Sequence, residues 1–499
     1  MTTTENSKER LGSLIAFATL IGLVILVKLP WTQSLWLDET ISIWISQESG
    51  KEVFFRSLEF QGQSPLYFFI PWFIQRLGLH NEFWLRLPSV VSVAASLWLL
   101  HRIARLYFLP SVALFTVVCF AALDPVQVAA LSARPYALAL LFSMSTLYAW
   151  LCWFQNPSNY RLALCAISGC LMFYAHYLFA AVLGVLTVLS FFMYPEAMKK
   201  FWKSWITTWF IMLVLMIPGI VHLFGLWADR RQLSFSASPS IFDFIQGLVP
   251  VYFMVYGIMA FLLVLIMGYG RGLHFPGYKY GRPHLIWIGL GSGLVGMFLF
   301  SVLSDAPLFL ARLYLWYYIG FALLCGYVVA RISPQPFRNL AIVVIFGFIF
   351  FRESLRIWHG EFWREEIARV SAEEQESPIL FYSGLIEAEQ LGSPYLASSL
   401  IDYLRSPLAA YPIPNPIVDL PGEYQTKESQ RYWLNEIVPL LGRLESGTVI
   451  AYRRKIPNTD ESTIERITKK LEALGFSVDS LSPKNSVVQR LKFSPSRAP

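Results

Sequence analysis

The sequence predicts a multispan α-helical membrane protein of about 11 transmembrane helices, followed by a C-terminal extracytoplasmic α/β domain. Three observations lead there. A chain of 499 residues that is 55% hydrophobic and only 15% charged, with a mean hydropathy of +0.49, holds more apolar surface than one soluble core can bury. Apolar runs recur from residue 11 to about residue 351, joined mostly by short loops. Beyond about Arg352 the composition turns charged, and short β-type runs alternate with helical ones.

The net charge of +7 is carried largely by short-loop Lys and Arg, which set orientation in a membrane, so no nucleic-acid partner is expected. Cys119, Cys152, Cys165, Cys170 and Cys325 all lie in apolar runs. Their spacing gives neither a disulfide framework nor a zinc site, and they read as small packing residues.

The first run, residues 11–29, is long enough to cross a bilayer of about 30 Å. It follows Lys8 and Arg10, is too long for a signal-peptide core and lacks a small-x-small cleavage site, so it is expected to stay as a helix. It runs into the interfacial group Lys28-Leu29-Pro30-Trp31, and two adjacent carboxylates follow in Leu35-Trp36-Leu37-Asp38-Glu39-Thr40. Asp38 therefore lies just beyond the far membrane face. Two readings are open: a chemical centre, or an N-cap of an amphipathic helix.

Ser64-Pro65-Leu66-Tyr67-Phe68-Phe69-Ile70-Pro71-Trp72 is apolar but short and bracketed by prolines, which suits an interfacial helix. Further crossings are expected at 85–107, on either side of 124–134, on either side of His176-Tyr177, and at 206–224, 251–269, 285–303, 313–330 and 340–351. With that count the loops alternate sides. Lys8, Arg10, Arg102, Arg105, Arg161, Lys199, Lys200, Lys203, Arg271, Lys279, Arg282, Arg331 and Arg338 then share one side, which the positive-inside rule makes cytoplasmic. The N-terminus is expected inside a plasma (inner) membrane and the C-terminal region outside. The outer loops carry Asp38, Glu39, Asp124, Arg134, His176, Asp229, Arg230, Arg231, Asp305 and Arg312.

The domain division expected from composition is a transmembrane domain over 1–351, with a catalytic first external loop at 31–84, and a soluble domain over 352–499. In the latter, 361–376 reads as a charged helix, 378–382 and 447–452 as buried strands, 463–474 as an amphipathic helix stopped by Gly475, and 487–491 as a short strand. It contains no Gly-rich phosphate loop and no recognisable Ser/His/Asp spacing.

Charges at a membrane edge usually line a cavity and pair with something. Arg134, in Ser132-Ala133-Arg134-Pro135-Tyr136-Ala137-Leu138, and Arg312, in Leu310-Ala311-Arg312-Leu313-Tyr314, are both expected at external helix ends. There a guanidinium could hold a phosphate through two parallel bonds, or simply anchor at the interface. Two such arginines on the face that bears Asp38 and Glu39 favour an anion site.

Trp36-Leu37-Asp38-Glu39, the Pro-Leu-Tyr segment, Arg86-Leu87-Pro88-Ser89, Arg134-Pro135-Tyr136-Ala137-Leu138, Ala175-His176-Tyr177 and the late Arg312 together resemble the C-type glycosyltransferases. The likeness covers about residues 10–330 and is to the branch of the protein O-mannosyltransferases and the lipid A aminoarabinose transferase. It implies inverting transfer of a sugar from a polyprenyl-phosphate donor to an acceptor hydroxyl on a lipid, glycan or protein outside the membrane. Asp38 would match the general base, Glu39 its neighbour, Arg134 and Arg312 the donor-phosphate contacts, and Tyr67, Tyr136, His176 and Tyr177 substrate-binding positions; a lone His beside Tyr at a helix junction is more often a hydrogen-bonded structural residue, and that reading of His176 stays open. Where relatives often carry a charged residue or His ahead of Pro-Leu-Tyr, this chain has Gln61-Gly62-Gln63-Ser64, which offers no metal ligand or second charged contact from this segment; no cofactor is expected, and a divalent metal is the alternative left open. A transporter or lipid flippase, and a non-catalytic membrane scaffold, are the other readings.

Overall fold

The computed structural model describes residues 31–228 and 238–250 without interruption and most of 283–496. Residues 1–30, 229–237, much of 251–282, and the stretches 305–307, 334, 352–359, 374–376, 392, 394–397, 423–425, 456–460, 484–485 and 497–499 lie outside the description. The expected spans at 11–29 and 251–269, Lys8, Arg10, Asp229, Arg230, Arg231, Arg271, Lys279, Arg282 and Asp305 fall there.

The helices are α1 (Leu37–Ser46), α2 (Gly50–Phe60), α3 (Phe69–Arg76), α4 (Glu82–Ala104), α5 (Pro110–Ala121), α6 (Asp124–Ala130), α7 (Tyr136–Gln155), α8 (Asn159–Ala175), α9 (Ala181–Met193), α10 (Pro195–Ala228), α11 (Ile241–Leu248), α12 (Pro283–Leu303), α13 (Tyr317–Ala330) and α14 (Gln335–Phe351). Among the described residues α4, α7, α10 and α12 are long and apolar enough to cross a membrane. The run expected as one span before Arg134 is broken: α5 and α6 meet at 72°. Pro125 opens the second helix, where a missing N–H costs nothing.

The chain forms two compact units, one of Met1–Trp31, Ser57–Ile70 and Trp84–Ile357, the other of Thr32–Arg56, Pro71–Phe83 and Trp358–Pro499. The first external loop thus contributes to both.

The first unit is a helical bundle, and the protein is a multi-pass membrane protein. Its core joins Leu97, Leu100, Val117, Phe120, Leu140, Trp150, Phe179, Leu186, Trp316 and Leu323. Lipid offers no hydrophobic drive between helices, so polar pairs and small residues matter more. Thr146 of α7 donates to Ser168 of α8 at 3.0 Å, and Trp150 Nε1 donates to Ser190 of α9 at 2.9 Å. The turn between α7 and α8 is closed twice. Ser158 caps α8, and Arg161 Nη1 donates to the carbonyls of Cys152 and Asn156 at the end of α7, at 2.8 and 2.9 Å. On α10, Phe210, Leu213, Ile217, Val221 and Phe224 repeat every three or four residues and are exposed. Such a stripe is stable facing acyl chains and would not be in water.

The second unit holds a five-stranded sheet in the order β2-β1-β3-β5-β4: β1 (Ile379–Tyr382), β2 (Ile417–Asp419), β3 (Gly447–Tyr452), β4 (Phe476–Ser480) and β5 (Val488–Pro495). β1 pairs parallel with β2 and β3, while β5 runs antiparallel to β3 and β4. β1 is buried throughout, as its run Ile-Leu-Phe-Tyr requires. The helix α15 (Trp363–Glu373) is tied to β5 by Arg490, whose Nη1 meets Glu373 at 2.5 Å and whose Nε lies 3.6 Å from Glu366. Next come α16 (Ser398–Leu404), α17 (Ser406–Ala410), α18 (Lys427–Tyr432) and α19 (Val438–Leu441). The last helix, α20 (Thr463–Ala473), buries Ile464, Ile467 and Leu471 on one face, and Ser462 and Glu465 form its capping box.

Candidate active-site residues

Asp38 and Glu39 occupy the second and third positions of α1, with Trp36 at the N-cap. Asp38 is therefore not the cap. Glu39, fully buried, accepts the Trp36 N–H at 3.2 Å, and the amides of Glu39 and Thr40 donate to the Trp36 carbonyl at 2.9 and 3.0 Å. The Leu37 N–H goes to Glu361 Oε2 at 2.6 Å. None of these first-turn amides is taken by Asp38, which stays half-buried.

The strand of chain leading into α1 is held by residues far along the sequence in the same unit. Leu35 N–H donates to the Tyr411 hydroxyl at 2.8 Å, and that hydroxyl donates to Glu82 Oε1 at 2.9 Å. Arg364 Nη1 reaches the same Glu82 oxygen at 2.7 Å while its backbone N–H donates to Ser34 Oγ at 3.1 Å. At the other end of α1, Gln47 Nε2 donates to the Ala409 carbonyl at 2.6 Å, and the Trp44 ring meets Tyr403 edge-on at 5.5 Å. Arg56 lies over Trp44 at 4.3 Å and donates to its carbonyl at 3.0 Å.

In the first unit, the turn from α6 to α7 carries Arg134 to a buried position. Two of the sequence motifs meet there: Ser89 of the Arg-Leu-Pro-Ser segment donates through Oγ to the Ser132 carbonyl at 2.5 Å. Arg134 Nη1 donates to Gln61 Oε1 at 2.7 Å. Gln61 sits at the end of α2, and Gly62 turns the chain there with a φ of +56°, the left-handed region where a Cβ would also come 2.8 Å from Leu226 Cδ2. The segment that departs from the family pattern thus supplies a neutral partner to the arginine.

The Tyr136 ring has both arginines beside it, Arg134 at 5.8 Å and Arg312 at 5.9 Å from guanidinium to ring centre. The His176 ring lies 5.5 Å from the same tyrosine and 5.4 Å from Phe179. His176 is 6% exposed, and neither of its ring nitrogens has a hydrogen-bond partner among the described residues. Two guanidinium groups and an unsatisfied imidazole around one ring form a place that favours an anion with several acceptor oxygens.

The other two tyrosines are elsewhere. Tyr177 donates to His222 Nδ1 at 3.0 Å, and His222 Nε2 lies 3.2 Å from the Leu58 carbonyl. A carbonyl can only accept, so Nε2 carries the proton and Nδ1 takes the tyrosine's. Tyr67 is buried with its ring edge-on to Phe68 at 5.5 Å. Among the described residues no three His, Cys, Asp or Glu side chains stand close enough to hold a metal ion.

Sequence reasoning missed Glu361, which is 8% exposed. Burial pushes its carboxyl up to about 7, the hydrogen bonds from Leu37, Trp363 and Tyr452 pull it down, and Asp38 pushes it up. The available signal was an acid just ahead of an amphipathic helix, and its partner 324 residues away could not be read from spacing.

Residues 62–222 match the family model described as dolichyl-phosphate-mannose-protein mannosyltransferase. Two crystal structures of ArnT from Cupriavidus metallidurans are similar over nearly the whole chain. The one bound to undecaprenyl phosphate covers 96% of this chain and 98% of its own, at 14% identity and a TM-score of 0.56. The apo structure covers 97% and 98%, at 12% identity and a TM-score of 0.58. No curated protein sequence matches significantly. The fold is that of the two ArnT structures, and the family match together with them bears out the resemblance read from the motifs.

Proposed function

We propose that this chain, with the fold of a C-type glycosyltransferase, moves a sugar from a polyprenyl-phosphate carrier to an acceptor hydroxyl at the extracytoplasmic face of the plasma membrane. The observation that carries the reading is the group of Arg134, Arg312 and the unpartnered His176 around Tyr136. It suits the charge that develops on a departing lipid phosphate, and a solved protein of the same fold is described as bound to undecaprenyl phosphate.

The chemistry asks for little else. The acceptor oxygen attacks the anomeric carbon from the face opposite the phosphate, the carbon–oxygen bond to phosphate breaks, and the sugar leaves with inverted configuration. Asp38 takes the acceptor proton as general base, and polyprenyl phosphate departs with the electron pair, stabilised by Arg134 and Arg312. Glu39, buried and bonded to Trp36, supports the first turn on which Asp38 stands. Tyr136 and His176 contact the donor, while Tyr177 holds His222 and Tyr67 packs against Phe68, away from that group. The arginines supply positive charge, so no divalent cation is needed; full transfer in EDTA is expected, and a loss that Mg²⁺ restores refutes this point. The N-terminus is cytoplasmic and the C-terminal domain extracytoplasmic.

Lipid analysis tests the reaction class. Deletion of the gene should cause one polyprenyl-phosphate-linked sugar to accumulate in the membrane, detected by mass spectrometry, and should remove that sugar from a lipid, glycan or protein. An unchanged set of polyprenyl phosphates rejects the proposal.

A further inference from the structure

The N-terminal turn of α1 has an unusual cap. Trp36 has no side-chain oxygen to offer the first amides of the helix, as Ser, Thr or Asp would. The acceptor comes instead from Glu361. Its Oε2 takes the Leu37 N–H at 2.6 Å and the Trp363 Nε1–H at 3.2 Å, and its Oε1 takes the Tyr452 hydroxyl at 3.2 Å. These three donors come from α1, from the start of α15 and from the end of the central strand β3. The donors are themselves fixed. Trp363 is fully buried and stacks on Tyr452 with 20° between the rings, and Gly384, at a φ of +85°, lets the chain lie against the Tyr452 ring, where a Cβ would come within 2.6 Å.

We propose that Glu361 is a positioning residue for the transfer reaction, clamping the first turn of α1 so that Asp38, the next residue after Leu37, keeps a fixed orientation. The inference rests on the role given to Asp38 under the proposed function. The C-terminal domain thereby acquires a role in the chemistry, because the carboxylate ties the acid-bearing helix to the sheet through one buried group. A buried charged acceptor makes a stronger and more directional tie than a solvated one.

The test uses the full-length protein in detergent micelles. Hydrogen–deuterium exchange of residues 35–46 reads the clamp directly. Transfer is followed as polyprenyl phosphate released on mixing with detergent-solubilised membranes of the deletion strain, which supply the lipid-linked donor and the acceptor together. Glu361→Ala is expected to speed exchange in 35–46 by roughly 10-fold or more. Turnover should fall at least as far, with the dependence on lipid concentration unchanged, because the base is misplaced and the donor contacts are untouched. Measured below a pH of about 7, where the parent's carboxyl is also neutral, Glu361→Gln should restore both. Its Oε1 accepts from Leu37 and Trp363, and its Nε2 donates to a Tyr452 hydroxyl that turns to accept.

Tyr452→Phe keeps the packed ring and removes one of the three bonds, so it carries the test if the alanine variant does not accumulate; about 5-fold faster exchange is expected there. Unchanged exchange in 35–46 overturns the clamp in either variant. A raised half-saturating lipid concentration with normal turnover overturns the positioning role. Failure of the underlying reading looks different: Asp38→Asn would retain transfer while the exchange difference at Glu361 persists.

Discussion

Replacing Asp38 by Asn separates chemistry from helix formation, because the structure shows what the substitution leaves in place. The amides of Trp36, Leu37, Glu39 and Thr40 are bonded to Glu39, Glu361 and the Trp36 carbonyl, so no cap is lost. The first helical turn loses one negative charge, worth about 0.3–1 kcal/mol against the helix dipole. Glu39 remains there and retains part of that stabilisation. Loss of the general base costs a factor of about 10²–10⁴ in rate, or about 3–5 kcal/mol of transition-state free energy. The expected variant therefore unfolds within a few degrees of the parent and still binds the lipid, but turns over at least about 100-fold more slowly. Initial rates of polyprenyl phosphate release by purified protein, with thermal unfolding measured alongside, decide it. Turnover within about threefold of the parent refutes the assignment of Asp38.

Arg134→Lys keeps the charge and loses the planar fork, so about 10-fold more donor should be needed for half-maximal rate, and Arg134→Ala should do worse; an unchanged donor dependence in Arg134→Ala makes the residue an interfacial anchor. Glu361 adds a pH effect. Asp38 on α1 and Tyr452 on β3 are the titratable groups acting on it, and the Leu37 N–H favours its ionised form. By linkage the ionised form holds Leu37 more tightly, so the tie strengthens as pH rises through about 7 and weakens as pH falls through it. Exchange in 35–46 should then match between the parent and Glu361→Gln at low pH and part at high pH, and identical behaviour at both refutes the titration. Orientation is checked with Glu472→Cys, on the exposed side of α20, against native cysteines that all lie in apolar helices. An impermeant thiol reagent should label it in intact cells, and labelling only after lysis places the domain inside.

Much of this architecture could be read from local pattern. The strand at Gly447–Tyr452 follows from a β-branched run opened by glycine, and α20 follows from its apolar spacing and the Gly475 stop. Arg134 stood out because a charge that interrupts an apolar run needs a reason. The misses have physical causes. β2 has three residues in a proline-rich stretch, and β4 is an edge strand with mostly exposed side chains, so neither makes a periodic signal. The partnership of Gln61 with Arg134 depends on a glycine turn that places an ordinary polar residue beside the charge. Glu361 is invisible to any window, because its meaning lies in an amide at the other end of the chain.

That separation has a consequence for biosynthesis. The chain enters the membrane from its N-terminal end, so α1 is made long before the residues that hold it. At about 5–20 residues per second, the 324 residues between Leu37 and Glu361 take roughly 15–60 s to synthesise. Throughout that interval the acidic turn has neither its Glu361 acceptor nor the Tyr411 and Arg364 bonds to the residues just ahead of it. A ribosome that stalls inside the last apolar helices releases a chain that carries Asp38 without its scaffold. Under the proposed function, competence for transfer would then depend on completion of the C-terminal domain, and partial translation products inserted in the membrane would stay chemically silent.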